Sequence, residues 1–475
     1  MSRTLILTAV LLLLASNAHS DAQSDGQELV LKIFERSCNS CHPAYVGSDD
    51  AESITRILSA ADTIKDRIAS ADRPMPPEFA SESMQLTSNQ KDKVIAALNL
   101  LQPEENTSLD DSIVPLSRLR LPVGYKIEIL AQVKSARSLH YSDAGVLYVG
   151  TGGFSNPDTK VYAIPYRPTD ALPINARMLA TGLDNPNGVT TIGGDLYVAE
   201  RTRILRYNQM DRQVLAGGSV PRPQVIYNNF PNERQHSWKY LRTSPEGELV
   251  VAQGAPCNIC DPDSNPATRG KFNRIFAISP ESGAARVLAQ GVRNTVGFDF
   301  SPANGELWFT DNGRDQMGDD IPADELNRLT QTGQHFGFPF CHGISVADPR
   351  FGRGINCRGD ERFQKPVTEL AAHAAALGMR FYRGSQFAAG ADRNSIYIAE
   401  HGSWNRSEPT GYRISRVRLD ENGNASARYE IFVDGWLNAD GSRWGRPVDI
   451  ENLPDGSLAI SDDHAGIVYR LSYEG

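Results

Sequence analysis

RNTVGFDFSPANGELWFTDNG, residues 293–313, is a hydrophobic strand, a turn at Asn304-Gly305, and a second strand of apolar type. Short runs rich in aromatic and β-branched residues around such a turn read as a β-hairpin. The unit recurs along the chain. Further copies are ARSLHYSDAGVLYVGTGG from Ala136, NPNGVTTIGGDLYVAERT from Asn185, HSWKYLRTSPEGELVVAQGA from His236, GMRFYRGSQFAAGADRNSIYIAEHGS from Gly378 and RPVDIENLPDGSLAISDDHAG from Arg446. Six similar units in order predict small sheets stacked radially, an all-β six-bladed β-propeller over residues 119–475. A pair of β-sandwiches is the structural alternative, and the repetition argues against it. The wide gap before the fifth copy holds Cys341 and Cys357 and reads as an insertion near the rim of the functional face.

In a propeller the inner strand of each blade lines a central channel, so residues just before each inner strand converge on one mouth. Those residues are Arg137, Asn187, His236, Arg293 with Asn294, Arg380 and Arg446. The loops after the second strands add Asp311-Asn312-Gly313-Arg314 and the run from His401 to Arg406. Any single arginine here reads equally well as a solvated surface residue. A ring of them in a chain of formal net charge −9 points instead to a small polyanion, held by bidentate guanidinium–carboxylate contacts. The acidic balance excludes nucleic acid as a natural partner.

The front of the chain differs. Residues 1–20 carry Arg3, an apolar run from Leu5 to Ala15, and Ala18-His19-Ser20 before Asp21, the pattern of a cleaved export signal. That run is too short to span a bilayer and nothing later approaches one, so no membrane span is expected. Cys38, Cys41 and His42 form a C-x-x-C-H, in which two thiols attach a haem c and the histidine ligates its iron. A chance match or a zinc pair is the competing reading. Helical flanks and export favour haem, as does Met75 within RPMPPEF, the favoured second axial ligand ahead of Met84. Residues 21–102 are therefore predicted to be a small all-α cytochrome c domain, and residues 103–118 an acidic, polar linker. Covalent haem in an exported chain places the protein in a bacterial periplasm, where disulfides persist. The four remaining cysteines allow three pairings, of which Cys257–Cys260 with Cys341–Cys357 is the natural local one. A catalytic redox pair at CNIC, 257–260, competes, but no thioredoxin-like βαβ pattern surrounds it.

Residues 119–475 resemble the soluble PQQ-dependent sugar dehydrogenase superfamily, in its sorbosone and pyranose dehydrogenase-like branch. The likeness is carried in chain order by NPNGV (185–189), HSWKYLR (236–242), GAPCNIC (254–260), GVRNTVGFDF (291–300), GELWFTDNGRD (305–315), GDDIPADELN (318–327), FGFPFCH (336–342), HGSWNR (401–406) and GRPVDI (445–450). The resemblance implies pyrroloquinoline quinone (PQQ) and Ca²⁺ on the propeller axis and an aldose or related sugar as substrate. It makes His236 the general base, a task suited to imidazole with its ordinary pKa of about 6.5. It sets Arg293 and Asn294 beside the quinone carbonyls and Arg446 at a cofactor carboxylate. Arg406 is assigned to a cofactor position that some relatives fill with lysine, with His401 as competitor. Arg137, from its blade position alone, and Asn312, from its loop, complete the cofactor set. Main-chain carbonyls of Gly313 and Arg314 match the Ca²⁺ loop, while Asp319 and Asp320 either bind a structural Ca²⁺ or orient that loop. Ser237-Trp238 departs from the soluble glucose dehydrogenase pattern, which bears on the sugar more than on the cofactor.

A fused haem then has a purpose: it drains a two-electron cofactor one electron at a time towards a soluble cytochrome or the respiratory chain. Two readings compete, a non-catalytic propeller binding module fused to the cytochrome and a Ca²⁺-dependent lactone hydrolase. A pure scaffold has no need of a base beside an arginine and a metal loop, and the arginine ring argues against hydrolysis.

Overall fold

Each predicted hairpin is the inner half of one sheet. The inner strands are Ala136–Tyr141, Gly188–Ile192, Leu241–Thr243, Gly297–Phe300, Ala376–Phe381 and Pro447–Asn452. Their antiparallel partners are Val146–Thr151, Asp195–Ala199, Leu249–Gln253, Leu307–Asp311, Ser395–Glu400 and Leu458–Asp462. These belong to a computed structural model that describes residues 114–153, 160–390 and 392–475. The export signal, Cys38, Cys41, His42, Met75, Met84 and the linker up to residue 113 lie outside the described residues.

Outer strands complete six sheets of four or five strands, the blades of a six-bladed propeller. One short helix, Met210–Leu215, decorates the second blade. Among the described residues no helix is long and apolar enough to cross a membrane.

The second strands explain the stacking. Their centres read Leu147-Tyr148-Val149, Leu196-Tyr197-Val198, Leu249-Val250-Val251, Leu307-Trp308-Phe309, Ile396-Tyr397-Ile398 and Leu458-Ala459-Ile460, all buried. Successive side chains of a strand point to opposite faces, so an unbroken apolar run suits a strand covered on both sides. Tyr148 accordingly packs towards the second blade with Val189 and Val198, whereas Leu147 and Val149 pack towards the sixth with Ala459 and Val468. Trp308 does the same against Phe381 and Ile396 of the fifth blade. Burying each such side chain contributes about 1.5–3 kcal/mol, which makes the interblade seams the core of the molecule.

The ring closes without a covalent join. Tyr125–Gln132 pairs antiparallel with Ile467–Tyr473, so the first strand of the domain is the outermost strand of the last blade. The hairpin turns need left-handed backbone, which Gly305 (φ +73°) and Gly456 (φ +82°) adopt without steric cost. Residues 329–375 form the predicted insertion, carrying a two-stranded hairpin of Cys341–His342 and Val346–Ala347 and the disulfide Cys341–Cys357. Cys257 and Cys260 form the second disulfide. Both local pairings expected from the sequence are therefore present.

Candidate active site

Inner strands all start at one end of the channel and second strands, being antiparallel, all finish there. Residues flanking those ends make a closed circuit of contacts. Arg137 of the first blade donates from Nε to Asn187 Oδ1 of the second (3.0 Å), and its guanidinium lies 3.9 Å from the Trp238 ring. Asn312 of the fourth blade donates to the Ala376 carbonyl of the fifth (2.8 Å). His401 Nε2 meets Asp463 Oδ1 of the sixth blade (2.8 Å), and Asp463 Oδ2 returns to Arg137 Nη1 (2.5 Å). Trp238, Val296, Leu377 and Val448, from four blades, form a buried apolar cluster at this level. That cluster gives Trp238 a packing role beside the mouth.

His236 stands on this circuit in a left-handed backbone conformation, φ 49°. Its Nδ1 lies 2.8 Å from the Ala255 carbonyl oxygen. A carbonyl only accepts, so Nδ1 carries the proton, and in the neutral ring Nε2 keeps a lone pair able to accept one. Burial, and then the positive charge of Arg293, push the imidazole pKa down to about 3. The same Ala255 donates its N–H to the Arg293 carbonyl at 2.8 Å. Gly254 lets the three segments close up: a Cβ there would lie 2.6 Å from His236 Cβ and 2.8 Å from the Arg293 carbonyl oxygen.

Arg293 is buried and fully gripped. Its Nε donates to the Asn258 carbonyl (3.0 Å), Nη2 to Asn258 Oδ1 (2.8 Å) and Asp315 Oδ2 (3.2 Å), and Nη1 to the Asn312 carbonyl (3.2 Å). Asp311 anchors the preceding backbone, accepting from Arg293 N, Asn294 N and Thr295 Oγ1 at 2.8, 2.7 and 2.9 Å. Asn294 Nδ2 reaches Asn312 Oδ1 at 3.1 Å. Asn258, Asp315 and Ala255 are residues that the sequence did not single out. Asn258 sits inside CNIC, whose sequence signal lies in its two cysteines.

The remaining predicted residues divide. Arg446 is held by neutral acceptors, Nε on the His401 carbonyl (3.0 Å) and Nη2 on the Gly402 carbonyl (3.3 Å). Among the described residues no carboxylate bonds its guanidinium, although the charge of Asp463 acts on it as it does on Arg137. Arg137 has the right level but spends its charge on Asp463. Arg406 faces the fourth-blade loop, bonding the Asp319 carbonyl, with Asp320 Oδ1 at 3.4 Å. Asp319 in turn accepts from Ser407 N (3.1 Å), so this acidic pair joins the two rim loops. Arg380 corrects the expectation of a mouth arginine from the fifth blade. It is the fifth residue of its strand, wholly buried further down the channel, 3.4 Å from Glu451 and 3.5 Å from Asp449. The place before that strand is taken by Ala374 and Ala375.

The donors suit an anionic cofactor: among the described residues Arg446 makes no ion pair within 4 Å, Arg293 adds a guanidinium partly balanced by Asp315, and the buried Nδ2 of Asn187 has no hydrogen-bond partner. For a cation, no group of three or more His, Cys, Asp or Glu side chains is assembled among the described residues. Main-chain oxygen fits better. Gly313 N is anchored on Asp324 Oδ1 (2.9 Å), Arg314 Nη1 on Asp348 Oδ2 (2.6 Å) and Asp315 N on Asn258 Oδ1 (2.8 Å), bonds that brace the loop whose carbonyls the resemblance assigns to Ca²⁺. Asp348 and its second partner, His342 Nε2 (3.1 Å), both belong to the insertion, so the Arg314–Asp348 pair ties the insertion to this loop.

A sequence profile described as TrAA12-like matches residues 120–474. The chain belongs to the TrAA12-like family. An uncharacterized protein of Borreliella burgdorferi is 32% identical over 371 residues, 75% of this chain and 92% of that one. A pyrroloquinoline quinone-dependent sugar dehydrogenase of Hypocrea jecorina is 24% identical over 269 residues, 48% of this chain and 60% of that one. The TrAA12-like propeller shares its fold with the calcium structure of Trichoderma reesei Carbohydrate-Active Enzymes Family AA12 (TM-score 0.63, 20% identity, 75% of this chain and 97% of that one). It likewise shares it with the holo form of the pyranose dehydrogenase PQQ domain from Coprinopsis cinerea (TM-score 0.62, 17% identity, 74% and 97%). The TrAA12-like propeller is thus related to PQQ-dependent sugar dehydrogenases.

Proposed function

We propose that this propeller oxidises a sugar or sugar-derived aldehyde with PQQ and Ca²⁺, and that an N-terminal haem c on Cys38 and Cys41 carries electrons to a soluble cytochrome or the respiratory chain. The setting is the periplasm, after cleavage of residues 1–20. The observation that carries the reading is the pair at the mouth: an imidazole whose Nε2 is free to take a proton, beside a buried, rigidly held arginine.

When bound, PQQ supplies the two-electron acceptor and Ca²⁺ polarises it. The chain does the rest. His236 takes the proton of a substrate hydroxyl, or of a hydrated aldehyde, at Nε2. The Nδ1–H bond to Ala255 holds the ring in that tautomer and steadies the imidazolium that forms. Arg293 places positive charge where negative charge gathers, and needs no reorganisation because Asn258, Asn312 and Asp315 already fix it. Arg446 is the anchor for a cofactor carboxylate.

The test is to mature the protein with haem, add PQQ and CaCl₂, and scan aldoses and sugar aldehydes with a dye acceptor. Sugar-dependent dye reduction that requires both additions is the expected result, and stopped-flow haem reduction after sugar is expected to follow. PQQ bound without turnover on any sugar would favour a binding module instead. Dye reduction with a silent haem would remove the electron-outlet part of the reading.

A further inference from the structure

Residues 254–261 belong to no strand or helix, yet they touch both halves of the candidate pair. The Ala255 carbonyl fixes His236, and Asn258 offers two acceptors, its main-chain oxygen and Oδ1, to Nε and Nη2 of Arg293. Two acceptors on one edge of a guanidinium orient the whole planar group. Asn258 is itself locked. Oδ1 also accepts from Asp315 N (2.8 Å) and Nδ2 donates to the Asp315 carbonyl (3.2 Å). Asp315 Oδ1 is held from the rim by Trp404 Nε1 at 2.9 Å.

The Cys257–Cys260 disulfide brackets this asparagine. Loop-closure entropy grows with loop length, so a bridge between residues three apart removes little freedom from the unfolded chain. Its effect is local. It spans the irregular segment in which both the carbonyl and the side chain of Asn258 face Arg293.

We propose that Asn258 is the positioning residue for the Arg293 guanidinium and that the Cys257–Cys260 disulfide keeps it in place. What the positioned guanidinium does rests on the dehydrogenase reading; that Asn258 positions it does not. Reduction by a dithiol such as dithiothreitol delivers two electrons and two protons to the bridge, giving two thiols and cyclic oxidised dithiothreitol. A site in which the bridge does this job is sensitive to that reaction.

The test uses the full chain without added cofactor. Arginine modification by phenylglyoxal is mapped by peptide mass spectrometry in the native protein and in Asn258→Ala, Asn258→Asp and Cys257→Ser/Cys260→Ser variants, with channel-buried Arg380 as internal reference. Arg293 is expected to react about tenfold faster, or more, in Asn258→Ala and in the double serine variant, a loss of protection of about 1.4 kcal/mol. Asn258→Asp, which keeps the acceptor oxygen, is expected to stay protected. Equal protection of Arg293 in all proteins overturns the proposal. So does Asn258→Asp labelling as fast as Asn258→Ala, or Arg380 labelling rising in parallel, which would make the loop an element of global stability. Fluorescence titration of PQQ with Ca²⁺ is the second readout, with affinity expected to fall about tenfold in the same two variants. A native protein that binds no PQQ would defeat the dehydrogenase reading and leave the labelling result to decide this one.

Discussion

His236 and Arg293 meet on a single residue, Ala255, whose carbonyl accepts from the imidazole and whose amide donates to the arginine carbonyl, each at 2.8 Å. The imidazole and the guanidinium-bearing residue therefore come from different blades but share one residue as spacer. Replacing His236 with Ala removes the proton acceptor and leaves Ala255, Arg293 and Arg446 in place. Turnover is expected to fall by about 10²–10⁴ with PQQ affinity retained. Steady-state rates beside a cofactor titration check this; undiminished turnover would exclude His236 as the base.

The imidazolium is disfavoured by burial and then by the Arg293 charge, both acting in the same direction. The neutral, proton-accepting ring is thus expected to persist down to about pH 3 in the protein without cofactor. Arg293→Met removes the second cause, so the His236 pKa should rise from there towards its ordinary value. Titrating the ring by NMR in both proteins reads this out. A midpoint near 6.5 in the unmodified chain would contradict the combined effect of desolvation and the Arg293 charge.

Gly254 has no space for a side chain, since a Cβ would press on the backbone of both His236 and Arg293. Neither contact is the end of a flexible side chain, so something in the main chain must move. Gly254→Ala is expected to cost about 1–3 kcal/mol of stability and to lower activity more than the loss of folded protein accounts for. Urea unfolding and specific activity per folded molecule separate the two effects.

Deeper in the channel, Arg380 and Arg242 lie against Asp299, Asp449 and Glu451. Burial raises the Glu451 pKa, but Arg242 and then Arg380 outweigh it and bring the carboxyl down to about 2. Arg380→Met strands buried carboxylates and is expected to destabilise by about 3–5 kcal/mol, with Arg293 and His236 unmoved. Urea denaturation gives the size. A change below about 1 kcal/mol would mean that the cluster is solvated and not a structural plug.

Much of the fold is legible in the sequence because each blade repeats one local rule. An unbroken apolar second strand can be satisfied only by covering both faces, and six such strands in order leave radial stacking as the solution. Strand direction then gives the level of His236, Arg293, Asn187 and Arg446 by counting alone. The count fails for Arg380, because its copy was aligned from Gly378 although the strand begins at Ala376 and shifts register before Met379. It also misses the closing strand Tyr125–Gln132, whose partner lies at the other end of the chain.

Which charges face the mouth was decided only by the folded protein. Arg137 and Arg446 look alike as residues flanking an inner strand, yet Arg137 is in direct ion-pair contact with Asp463 while the Arg446 guanidinium bonds main-chain carbonyls. Likewise Asn258 gains its role from the arginine that a neighbouring blade brings to it. Strand and turn are encoded by neighbours along the chain, so the sequence by itself determined the repeating architecture and the end at which the loops gather. The partner of each polar group depends on segments far apart in sequence that meet only when the ring closes, and that the tertiary structure alone decided.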